Sequence, residues 1–156
     1  MSSIHEAAKN EWIKHICNLL VPIIKEGFRN IYTNCVIAAH GEGEHHPKVL
    51  ESFQQTLRDI PKWNSEIVNI EYNRILDSDP NCRDILEDLI EAAFKSHILV
   101  LSTAANKKVE IDIPDALRFI HKVYIEATRV FYQNPHLFYG MSYDDGPEYE
   151  YRYHKN

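Results

Sequence analysis

The sequence predicts an all-α fold, a single-domain bundle of five or six helices closed by an irregular tyrosine-rich tail. Two observations predict it. Apolar residues recur at steps of three and four through most of the chain, the period of a helix with one buried face. Turn chemistry (Pro, Gly, and clusters of Asp, Asn and Ser) then cuts that pattern into helix-length pieces. Size agrees: 156 residues, 44% hydrophobic and 26% charged, suit one globular domain. A domain of that size hides about 68–70% of its unfolded surface, enough for a core without staples. One helical domain is expected over residues 1–156, with its core in 4–135 and a tail in 136–156.

The first helical stretch runs from about Ile4 to Ala39, with Ile4, Ala8, Trp12, Ile16, Leu20, Ile24, Phe28, Ile31 and Cys35 among its apolar positions. Pro22 lies inside it and removes a ladder hydrogen bond. Either one long bent helix or two shorter ones broken near Val21 is expected. His40 to His46 is a loop because Gly41 and Gly43 disfavour helix. Pro47 suits the first turn of a second helix, whose face is Val49, Leu50, Phe53 and Leu57. Ile60-Pro61 interrupts it. A third helix is expected from Trp63 or Asn64 to about Leu76, with Trp63, Ile67, Ile70 and Ile75 inward.

Asp77 to Asn81 is a turn by composition. The fourth helix, about Cys82 to Thr103, carries the clearest stripe: Ile85, Leu86, Leu89, Ile90, Ala93, Phe94, His97, Ile98 and Leu101. Asn106-Lys107-Lys108 breaks it, and Val109-Glu110-Ile111-Asp112-Ile113 alternates apolar and polar. With no second strand pattern to pair with, this is an extended connector. Pro114-Asp115 opens a fifth helix to about Tyr132, burying Leu117, Ile120, Val123, Tyr124, Ala127, Val130 and Phe131, and Asn134-Pro135 stops it. The tail holds Tyr139, Tyr143, Tyr149, Tyr151 and Tyr153 with several acids and no helical period. Tyrosine is amphipathic and suits interfaces, so the segment is expected to dock on the body or on a partner, with these five as the candidate partner contacts.

Charge and cysteine usage narrow the function. A net charge of −6 argues against a whole-surface attraction to nucleic acid or an anionic membrane. Cys17, Cys35 and Cys82 are odd in number and widely spaced, the usage of free thiols in a reducing compartment. The start, MSSIHEAAKNEW, has no apolar stretch and reads as no secretory signal, and no eighteen-residue apolar run spans a membrane.

Two groups of residues invite a chemical reading. AHGEGEHHPKV places His40, His45 and His46 beside Glu42 and Glu44, the ligand types of a zinc site. They lie on a glycine-containing loop without the helical spacing that pre-organises a pair, so a solvated connector is the preferred reading. His97 and His121 each interrupt an apolar stripe and could meet if the fourth and fifth helices pack antiparallel, with Glu91 or Glu126 completing a polar cluster. The simpler expectation is that each ring is a satisfied core residue. Cys82 near a helix start would have a lowered pKa. No GxSxG, GxGxxG or P-loop pattern occurs. Arg118, Lys122 and Arg129, with Arg58 and Lys62, could form a basic stripe for an acidic partner, or simply snorkel.

Three stretches, FQQTLRDIPKWNSEIVNIEYNRI, ILEDLIEAAFKSHILVL and IPDALRFIHKVYIEATRVFYQNPHLF, resemble a helical protein family of nucleo-cytoplasmic large DNA viruses, the giant viruses. The resemblance covers about Phe53 to Phe138, with IPKWN and FIHKVYI…NPHLF at its centre. It implies a viral protein acting in the host cytoplasm or in the virion, and it implies no chemistry. The expected function is a non-enzymatic interaction or structural protein with a viral or host protein partner, or a second copy of itself, and no cofactor. The rival is a metal-binding or hydrolytic protein using His97 and His121. A nucleic-acid-associated factor ranks third.

Overall fold

A computed structural model describes residues 2–39 and 47–138. Those residues form α1 (Ser2–Ala38), α2 (Pro47–Asp59), α3 (Ser65–Ser78), α4 (Pro80–Ala105) and α5 (Ala116–Gln133), with 3-10 turns at Ile60–Lys62 and Pro135–Phe138. The fold is all-α, and no strand occurs among the described residues.

The chain divides into two compact units, Met1–Ile23 with Val68–Ile120, and Ile24–Ile67 with His121–Asn156. Where the sequence reads as one domain, α1 and α5 each contribute to both units.

In the first unit the core is Ile16 and Leu20 of α1, Val68 and Ile75 of α3, Cys82, Leu86, Ile90 and Ala93 of α4, and Ala116 and Ile120 of α5. α1 passes Pro22 as one unbroken helix of 37 residues, so the two-helix alternative does not hold. The missing proline N–H costs one rung, which the packing of the long helix outweighs. Close by, Arg74 of α3 donates to the Ile23 carbonyl at 2.9 Å while Glu71 holds the same guanidinium, Nε to Oε1, at 2.7 Å.

The α3 face differs from expectation. Asn64 caps the helix, accepting the Ile67 N–H at 2.9 Å, and Trp63 stays outside it. Val68 and Ile75, seven residues apart and so on one face, are buried; Ile67 and Ile70 are exposed. The five-residue turn expected over 77–81 shrinks to Asp79, which caps α4 by accepting the Asn81 N–H at 2.9 Å, with Pro80 following. The stripe of α4 is Cys82, Leu86, Ile90, Ala93 and Ser96, and Ile85 points outward. α4 ends on Asn106 in the left-handed region (φ 52°), where Asn106 N–H reaches the Thr103 carbonyl at 3.3 Å and Lys107 N–H the Ser102 carbonyl at 3.2 Å. Asp115 starts α5, its carboxylate accepting the Arg118 N–H at 2.8 Å.

The second unit is built on aromatic rings. Phe28 stacks on Tyr124 with centroids 4.9 Å apart and meets Phe131 edge-on at the same distance. Tyr32 meets Phe53 at 5.2 Å, and Phe138 packs edge-on against both Phe53 (5.2 Å) and Phe131 (4.7 Å). Offset and edge-to-face pairs of this kind add about 0.5–1.5 kcal/mol each beyond area burial. Val49, Leu57 and Ile60 complete the core, whereas Val130, expected inside, is exposed. Phe138 falls in the segment expected to be irregular, yet it is buried at the end of a 3-10 turn.

Candidate functional site

The most elaborated polar constellation surrounds the Ile60-Pro61-Lys62-Trp63 turn. Helix α2 ends at Asp59, the chain tightens into the 3-10 turn, and Trp63 N–H closes it on the Ile60 carbonyl at 3.1 Å. The same carbonyl lies 2.8 Å from His121 Nε2 of α5, so the nitrogen that carries the proton there is the donor. The imidazole stacks on Trp63, centroids 6.2 Å apart and planes 15° from parallel, and Trp63 reaches Tyr124 at 5.4 Å. His121 therefore pins a turn against a helix.

His97 is placed in the other unit, on α4, and its Nδ1 is a buried nitrogen without a hydrogen-bond partner among the described residues. The carboxylates expected to complete a His97/His121 cluster are both engaged on their own helices. Glu91 pairs with Lys95 at 2.6 Å; Glu126 pairs with Lys122 at 3.3 Å and Arg129 at 3.0 Å. Among the described residues no group of three or more His, Cys, Asp or Glu side chains could hold a metal ion. His40, His45 and His46, with Glu42 and Glu44, lie outside the described residues, as do Tyr139, Tyr143, Tyr149, Tyr151 and Tyr153.

Cys82 corrects an expectation. It sits in the first turn of α4, but its side chain is fully buried, and burial raises the thiol pKa, with the Asp79 carboxylate adding to the rise. Tyr72 is shifted the same way: burial first, then the carboxylates of Glu87 and Asp115, hold its phenol above the ordinary range. Neither group is an activated nucleophile.

The basic stripe is locally neutralised. Arg118 pairs with Asp112 (3.2 Å) and Asp115 (3.6 Å), and Glu126 sits between Lys122 and Arg129. Arg58 is held by an aromatic partner: its Nε donates to the Tyr132 hydroxyl at 3.0 Å, its Nη2 donates to the same oxygen, and its guanidinium lies 5.2 Å from that ring's centroid. Gln54 Nε2, one turn earlier on α2, donates to the Tyr132 carbonyl at 2.8 Å. Sequence reasoning missed this clamp because its members lie 74 and 78 residues apart and carry no motif.

A family of unknown function, DUF5764, matches residues 1–139. The chain belongs to DUF5764. The match is wider than the Phe53–Phe138 stretch of the viral resemblance and takes in residues 40–46; Tyr143, Tyr149, Tyr151 and Tyr153 lie beyond it. No curated protein and no solved structure matches the chain.

Proposed function

We propose that this DUF5764 protein is a non-enzymatic interaction or structural component of a large DNA virus, working in the host cytoplasm or the particle by contacting a viral or host protein or a second copy of itself. The observation that carries the reading is the first part of α1. From Ile4 to His15 no side chain is fully buried, and Ile4, Trp12 and Ile13 stand exposed. A helix of about three turns that keeps its apolar side chains accessible is suited to a partner surface. The engagement of His121, Glu91, Glu126, Cys82 and Arg58 in packing and pairing supports the same reading. The test is proteomics of purified particles together with pull-downs from infected cells using untagged chain on an antibody. Recovery in particles or with a defined partner is expected; absence from both overturns the proposal.

The metal reading retains one specific observation, the unpartnered Nδ1 of His97. Elemental analysis of untagged protein decides it. Stoichiometric zinc or iron that disappears in His97→Ala would displace the interaction reading.

A further inference from the structure

The connector between α4 and α5 leaves main-chain groups open along its even-numbered edge. Val109, Ile111 and Ile113 are half-buried while Glu110 and Asp112 are exposed, the alternation of an extended segment lying with one row of side chains inward. In such a segment the main-chain groups of odd and even residues point to opposite lateral edges. Val109 N–H donates to Ser102 Oγ of α4 at 2.9 Å, so the odd edge is turned toward α4. The even edge carries the N–H and C=O groups of Lys108, Glu110 and Asp112, and among the described residues no hydrogen bond reaches any of them. Pro114, with no N–H, closes this edge at one end, and left-handed Asn106 closes it at the other.

We propose that this edge is a self-association site, where the Lys108–Glu110 segment of a second copy adds antiparallel to make a short two-stranded ribbon. Charge selects the occupant and the register. If Lys108 of each copy lies opposite Glu110 of the other, every directly facing charge is opposite in sign, and Val109 meets Val109 on the inner row. The register that sets Glu110 against Glu110 gains Lys108 against Asp112 but opposes like charges at its centre, and the one that sets Glu110 against Asp112 opposes like charges outright. The existing contacts, Lys108 to Glu110 at 3.7 Å and Arg118 to Asp112 at 3.2 Å, are between exposed groups and are readily exchanged across a ribbon. A pairing this short gives a weak, charge-dependent dimer. It deepens the interaction reading above and rests on it only for its biological purpose.

Sedimentation velocity of the untagged full chain at low salt, over a concentration series, tests it. A concentration-dependent monomer–dimer equilibrium is expected. Lys108→Glu or Glu110→Lys alone should weaken dimerisation about tenfold, and the double swap should restore it. Glu110→Pro, which removes the central donor of the open edge and leaves the half-buried row intact, should abolish the dimer while far-ultraviolet dichroism stays unchanged. A chain that is monomeric throughout, or a dimer indifferent to the charge swap, overturns the proposal. A monomer that still captures a viral or host protein sinks self-association and leaves the interaction reading standing.

Discussion

His121 shows how a residue flagged for chemistry serves structure. Its ring fills space beside Trp63, and its Nε2 satisfies a carbonyl on the fully buried residue Ile60. His121→Phe keeps the ring and removes one of two donors to the Ile60 carbonyl, which Trp63 N–H still reaches, so it should destabilise by about 0.5–1.5 kcal/mol, the net worth of one hydrogen bond. A smaller loss of the denaturant midpoint would mean that water replaces the donor. Thiol chemistry separates the cysteines: Cys17 is exposed, Cys35 and Cys82 are buried. Under native conditions one equivalent of a thiol reagent should react fast at Cys17, and Cys35 and Cys82 only on unfolding. Tyr72 sets an alkaline limit. Burial and the Glu87 and Asp115 carboxylates raise its folded-state pKa above the unfolded value, so the fold favours the neutral phenol. Its contribution is full below the ordinary phenol range and is lost as pH rises through the folded value. Tyr72→Phe should therefore move the onset of alkaline unfolding to higher pH, read by dichroism; an unchanged onset would assign that transition to other groups.

At the scale of elements, the stops and starts follow from residues readable in the sequence. Asn64, Asp79 and Asp115 cap helices with their side chains, and Asn106 ends α4 in a conformation that only glycine and asparagine adopt readily. Asn106→Ala should cost about 1–2 kcal/mol in thermal or denaturant melts, and Asn106→Gly should cost nothing or stabilise. The faces were less legible. Ile67 and Val68 are adjacent and equally apolar, and the helical period alone does not say which turns inward; packing partners elsewhere in the chain decide. The same ambiguity misplaced Ile85 and Val130. The break anticipated at Pro22 failed for a related reason. Local backbone chemistry costs one rung, whereas the apolar positions on both sides of Pro22 are buried along a continuous helix.

For the whole molecule, helical class was written in the spacing of apolar residues, but the place of Phe138 in the core was not. Phe138 follows Asn134-Pro135, a strong stop signal, and looks like the start of a polar tail. It is nevertheless buried among Phe53, Phe131, Phe28 and Tyr32, joining residues more than eighty positions apart in a cluster that no periodicity reveals. The Arg58–Tyr132 clamp escaped notice for the same reason: contact between distant positions has no local signature. DUF5764, which ends at residue 139, takes in Phe138. A chain ending at Gln133 loses Phe138, and removing a buried phenylalanine costs about 3–5 kcal/mol. Against a total stability of roughly 5–15 kcal/mol, that leaves a marginal fold. A chain ending at Phe138 keeps the ring. The 1–138 chain should melt cooperatively with native helicity while 1–133 melts far lower or not cooperatively at all, and Phe138→Ala in the full chain should fall between them. Equal melting of 1–133 and 1–138 would show that the ring cluster closes without Phe138, and that the folded body ends with α5.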